Sequence, residues 1–187
     1  MRWYALRHPW TALKSWLSEE PRGLAQFLRL ILSATTGTIA WSLVVSILTV
    51  LVGKIFANHL SISDYTSFFW YWYKAAFIEE SVFRWLPLAP LLIIFRKRTL
   101  FLLIIVSVFS SILFGTAHYS YFVYDYPGLP GIVLSLINQG VGGFVWCLVF
   151  IKCARNTDYL FVRPLITTTS SHFLFNMIVL AVSNGST

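Results

Sequence analysis

Five apolar stretches, parted by short polar ones, set the pattern of this chain. They cover residues 27–52, 68–95, 100–121, 129–151 and 164–182. Each is near or above the roughly 20 mostly apolar residues with which a helix crosses a bilayer. Ahead of them the pattern changes. Trp3, Leu6, Trp10, Leu13 and Leu17 recur at helical spacing, with Arg7 and Lys14 off that stripe. Pro9 suits the first turn of a helix. This predicts an amphipathic helix over residues 9–17, lying in the membrane interface with tryptophans at headgroup level. The predicted fold class is an all-α, polytopic transmembrane bundle of about five spans with an N-terminal interfacial helix. It is read as a single domain over 1–187, with 1–26 cytoplasmic or interfacial and 27–182 transmembrane. Pro87 and Pro90 are expected to kink or end the regular part of the second span. A turn-rich segment at Tyr124–Gly128 and a polar loop over 152–163 separate the later spans.

Composition agrees. The chain is 57% hydrophobic and 18% aromatic, with only 11% charged residues, where a soluble domain carries about 25%. The net charge of +7 raises nucleic acid as a partner, but the placement of the charges argues otherwise. Arg2, Arg7, Lys14, Arg22 and Arg29 flank the first span, Arg96, Lys97 and Arg98 follow the second, and Lys152, Arg155 and Arg163 lie between the last two. Lys54 and Lys74 remain for the opposite side. The positive-inside rule then puts the N-terminus in the cytoplasm and the C-terminus outside. No nucleic-acid motif accompanies these residues. Met1 to Glu20 is interrupted by charges, so a signal peptide is not expected. Cys147 and Cys153 lack metal-ligand or redox spacing and read as free thiols.

Against this apolar background a few polar residues are conspicuous. Glu79, Glu80 and Arg84 interrupt the second span. A charge at the centre of a membrane helix costs roughly 2.5–3.5 kcal/mol, so three together must face the protein interior or a water-filled cavity. Glu80 and Arg84 are four apart and share a face. Glu79 is turned about 100° away. Arg84 can therefore hold Glu80 while Glu79 stays available for another partner. His118 ends the third span, His172 and Asn176 share a face of the fifth, and Asn138 and Gln139 precede Gly140, Gly142 and Gly143 in the fourth. Singly, each could serve helix packing. Together, a carboxylate, two imidazoles and an amide suit hydrolysis: a Glu–His pair moves protons to and from water, and a His and an Asn donate to an oxyanion. Neither a Gly-x-Ser-x-Gly elbow nor a His-Glu-x-x-His helix is present.

Glu79-Glu80-x-x-x-Arg84, Phe114-x-x-x-His118 and His172-x-x-x-Asn176, in this order and each in its own span, resemble the signature of the CPBP (Abi) family. That family includes type II CAAX prenyl proteases and bacteriocin-processing or immunity-associated membrane proteins. The Gly140/Gly142/Gly143 region resembles its glycine-containing motif. The resemblance covers about residues 70–180 and implies an intramembrane endopeptidase. It assigns Glu79 and His118 to water activation, His172 and Asn176 to the oxyanion, and Glu80 with Arg84 to support. The implied partner is a membrane-associated peptide or protein substrate in the lipid bilayer. No cofactor is expected; the alternative is zinc held by Glu79, His118 and His172. Two other functions compete with proteolysis: a transporter or proton relay using buried Glu and His, and a non-catalytic binding or immunity protein. No inverted repeat supports a transporter.

Overall fold

A computed structural model describes residues 8–18, 23–51, 65–95, 100–121, 126–154 and 162–184. Among these the chain is all-helical, in six helices. Helix α1 is Pro9–Ser18, and α2 is Leu24–Leu51. Tyr65–Glu80, Ser81–Trp85 and Leu86–Phe95 run on as one helix, α3, whose middle turn is wound as a π-helix. Helix α4 is Leu100–Ala117, followed by a 3-10 turn at Tyr119–Tyr121. Helix α5 is Leu129–Ala154, with a second π turn at Leu136–Gly140. Helix α6 is Val162–Asn184. The stripe residues Trp3 and Leu6, and the basic residues Arg2, Arg7, Arg22, Lys54, Arg96, Lys97, Arg98 and Arg155, lie outside the described residues, as do Tyr124 and Asp125 of the Tyr124–Gly128 turn.

Helices α4 and α5 are long and apolar enough to span a membrane. The faces of α4 are inverted relative to a water-soluble helix. Phe101, Ile105, Phe109 and Leu113 point outward, while Ser107, Ser110 and Ser111 are buried. Buried serines spare helix contacts from bulky side chains, as membrane helix interfaces require. Gly115 and Gly140 mark a close backbone approach of α4 to α5: a Cβ on Gly115 would lie 3.1 Å from the Leu136 Cα and 3.2 Å from the Gly140 Cα. Helix α6 is central and packs on α2, α3 and α5.

The proline expectation needs correction. Helix α3 runs through Pro87 and Pro90 to Phe95, and its irregular turn comes earlier, at Ser81–Trp85. Pro87 has no N–H to give the Phe83 carbonyl one turn back. The Ser110 hydroxyl of α4 donates to that carbonyl instead. Such outside donors are what make proline tolerable in membrane helices. The π turn of α5 is repaired in the same way. The Val141 amide donates to the Asn138 carbonyl, and the Ile137 carbonyl accepts from Trp41 Nε1 at 2.7 Å.

The polar loop expected from residue 152 also starts later. Lys152 lies in the last turn of α5 and is buried. Its ammonium donates to the Trp16 carbonyl near the end of α1 and sits 4.4 Å from the Trp16 ring centroid. A cation suits the carbonyl-rich end of a helix. Beside it Leu17 is fully buried in a core with Leu88, Leu92, Leu103, Phe150 and Ile151. Leu17 thus docks α1 on the bundle.

Candidate active site

Glu79 and Glu80 end the regular first part of α3, immediately before its π turn. Such turns recur at functional sites, because one extra residue re-aims the side chains around it. Arg84 lies within the turn and still reaches Glu80: Nη1 is 3.2 Å from Oε1, with both side chains fully buried. The guanidinium carbon lies 4.2 Å from the Phe114 ring centroid and 5.3 Å from that of Trp146. A charge so enclosed needs its partner and gains from aromatic faces. Gly143 makes the room. A Cβ there would stand 2.9 Å from Phe114 Cδ1 and 3.1 Å from Arg84 Nη2.

Glu79 turns elsewhere, as its place on the helix requires. Its Oε2 lies 3.6 Å from His118 Nε2 and 3.5 Å from His172 Nε2. Three helices therefore deliver the cluster: α3 the carboxylate, the end of α4 one imidazole, and α6 the other. Both separations exceed the 2.7–3.2 Å of a direct N–H···O bond, and Oε2 has no hydrogen-bond partner among the described residues. Glu79 is also the most open of the three, with 29% of its side chain exposed, against 12% for His118 and 4% for His172.

The far nitrogens fix how the rings present themselves. His118 Nδ1 lies 2.7 Å from the Phe114 carbonyl oxygen. A carbonyl can only accept, so Nδ1 carries the proton and Nε2 of the neutral ring offers its lone pair toward Glu79. His172 Nδ1 lies 2.9 Å from Glu80 Oε1. One Glu80 oxygen thus pairs with the Arg84 guanidinium by charge and with His172 by a hydrogen bond. The sequence argument separated the two carboxylates by helix face but missed this His172 link, because spacing within a helix says nothing about which neighbour stands opposite.

Asn176 is half-buried one turn beyond His172. Among the described residues no hydrogen bond joins it to Glu79, His118 or His172. Asn138 and Gln139 fall in the π turn of α5, half-buried. Sequence reasoning passed over Trp146, whose ring stacks on His172 with centroids 4.1 Å apart and planes 19° apart. It lies one turn beyond Gly143, but nothing in its spacing singled it out among eight tryptophans. Cys147 and Cys153 are free and buried. Among the described residues no group of three or more His, Cys, Asp and Glu side chains is recognised as set for a metal ion.

A family model described as type II CAAX prenyl endopeptidase Rce1-like matches residues 62–178, and the chain belongs to that family. It is therefore an integral membrane protein of the CAAX-protease type, acting on a peptide or protein substrate. Comparison with curated proteins and with solved structures finds no match.

Proposed function

We propose that this chain is a glutamate-dependent intramembrane endopeptidase cleaving membrane-associated peptides or proteins, with water activated by Glu79 and His118. The observation that supports it is the convergence on Glu79 Oε2 of two imidazole Nε2 atoms whose Nδ1 atoms are engaged elsewhere. Ionised Glu79 and neutral His118 both accept at this point. A water about 2.8 Å from each would donate to both, with its lone pair free to attack a carbonyl carbon. As the new C–O bond forms, the water's proton passes to the Glu79–His118 pair. The same pair returns it to the amine nitrogen as the C–N bond breaks. His172 and Asn176 are assigned to the oxyanion. To donate from Nε2 while Nδ1 faces Glu80, His172 must be the imidazolium, and Glu80 supplies the counter-charge that form needs.

The proposed membrane arrangement is five spans with the N-terminus in the cytoplasm and the C-terminus outside. A reporter fused after Thr187 should behave as extracytoplasmic, and a cytoplasmic signal would reverse the orientation or change the span count. For the activity, membranes carrying wild type and Glu79→Ala are compared by proteomics. Uncut precursors should accumulate only with the variant, and identical peptide profiles would count against proteolysis. Zinc chemistry is separated by metal analysis of detergent-purified protein with activity measured after chelation. Stoichiometric zinc, lost and restored together with activity, would replace the glutamate mechanism.

A further inference from the structure

A hydrogen bond at one nitrogen sets which way an imidazole faces but not its exact tilt. Small coupled changes in χ1 and χ2 can keep Nδ1 near its acceptor while carrying Nε2 off target. His172 is held at Nδ1 by Glu80, so its plane must be set by something else. A flat group packed on its face is the Trp146 indole, 4.1 Å away and within 19° of parallel.

The indole is itself fixed. Trp146 is 1% exposed, and its Nε1 donates to Ser171 Oγ at 3.1 Å. Ser171 lies beside His172 in α6, and its hydroxyl is 3.0 Å from Thr35 Oγ1 of α2. The Thr35 hydroxyl is anchored by the Ile31 carbonyl one turn back, at 2.9 Å. Phe114 and Phe175 meet the indole edge-on at 6.1 and 5.8 Å, closing off lateral slip. We propose that Trp146 is a positioning residue: braced through Ser171 and Thr35, it fixes the plane of the His172 ring and so the aim of Nε2 at Glu79. This rests on the peptidase reading for its consequence in turnover, but the geometry can be tested without turnover.

The chain has four histidines, so selective 15N-histidine labelling gives a spectrum simple enough to assign by replacing each in turn. Stacking places the His172 ring protons in the shielding region of the indole. In wild type they should resonate upfield of those of histidine in a short unstructured peptide. Trp146→Leu should remove that shift and broaden the signal, while Trp146→Phe, which keeps a flat face and loses only the Nε1 bond, should retain much of it. Unchanged His172 ring signals in Trp146→Leu would overturn the proposal.

Turnover is then read on a quenched fluorescent peptide ending in farnesyl-cysteine and three further residues. Trp146→Leu should lose roughly 10–100-fold in kcat with KM held within about twofold, as small misplacements of a reacting group do. Trp146→Phe should recover most of it. Leu103→Ala is the control for a purely structural role: Leu103 is buried in the Leu88/Leu92 core, near the start of α4 and more than three turns from His118, and its loss should lower thermal stability with kcat kept. Equal kcat losses in Trp146→Leu and Leu103→Ala would make Trp146 a packing residue only. If wild type leaves the peptide intact while the ring shifts behave as stated, the positioning stands and the substrate reading is what fails.

Discussion

The bundle buries two charged sites, and they are built on opposite principles. At one, Lys152 meets a carbonyl and a tryptophan face beside an aliphatic core, and its single charge is absorbed by a helix end. At the other, Glu79, Glu80, Arg84, His118 and His172 converge. Glu79 Oε2, Glu80 Oε2 and all three Arg84 guanidinium nitrogens have no hydrogen-bond partner there among the described residues, although Nη1 is ion-paired with Glu80. Buried polar atoms are normally satisfied, and leaving one unsatisfied costs about 1–3 kcal/mol. The first site holds two helices together. The second leaves polar capacity unsatisfied at a cost in stability, as the proposed reaction with a substrate and water would require.

The sharpest way to break this contrast is Glu79 itself. Glu79→Gln should lower turnover by about 10²–10⁴-fold or more, and His118→Ala by a similar order, with folding kept. His172→Ala and Asn176→Ala should lower the chemical step by roughly 10²–10³-fold. Steady-state kinetics on purified protein decides. Retained kcat in Glu79→Gln would remove it from the reaction.

Glu80→Gln should act on the fold instead. It leaves Arg84 without its counter-charge and His172 without a full acceptor, a loss of about 3–5 kcal/mol for a broken buried pair. Thermal midpoints in detergent should place Glu80→Gln well below Glu79→Gln, and matching midpoints would end the division of labour between the two carboxylates.

Neighbouring glycines give a finer test. Gly143→Ala drives a methyl into Phe114 and Arg84 and should destabilise by about 1–3 kcal/mol. Gly142→Ala meets only Thr38 Cγ2, at 3.7 Å. It should be neutral or stabilising by up to about 1 kcal/mol through helix propensity. Reversed signs would mean that Arg84 is not seated against Gly143.

The smallest effect belongs to the other site. Lys152→Met keeps the aliphatic stem and drops the charge, so it should weaken the hold on α1 by about 1 kcal/mol. Turnover should be unchanged, while limited proteolysis within residues 9–18 should quicken. A large loss of activity would join the two sites that the structure keeps apart.

Helix positions were legible because a membrane-spanning segment must be apolar along its whole length, and the runs over 100–121 and 129–151 announce α4 and α5. The Glu80–Arg84 pairing was legible because both residues ride one helix. What lay between helices was not. The His172–Glu80 bond, the Ser110 donor to the Phe83 carbonyl and the Trp146 stack each need two elements brought face to face, and no periodicity encodes that. The π turns were hidden for another reason: a one-residue bulge leaves the hydrophobic pattern nearly unaltered. Lys152 was misplaced because a lysine after an apolar run looks like a helix exit, whereas here its long stem lies along the core and its amine reaches a neighbouring helix end.

The π turn at Ser81–Trp85 also sets the phase between the two halves of α3. Each residue advances an α-helix by about 100°. A π turn holds about 4.4 residues, so five of them advance the helix by roughly 410°, close to the roughly 400° of four α-helical residues. The turn thus takes up one residue, and 65–80 meet 86–95 in nearly the phase of a regular helix one residue shorter. Were 81–85 wound as plain α-helix with no residue removed, and Leu88 and Leu92 held in their core, Glu79 and Glu80 would swing about a quarter-turn from His118 and His172. The turn therefore works as a coupling between two gears, one engaged with the core and the other with the proposed chemistry. A chain that lost the bulge without losing a residue could still fold and insert while delivering its carboxylates to the wrong side of the helix.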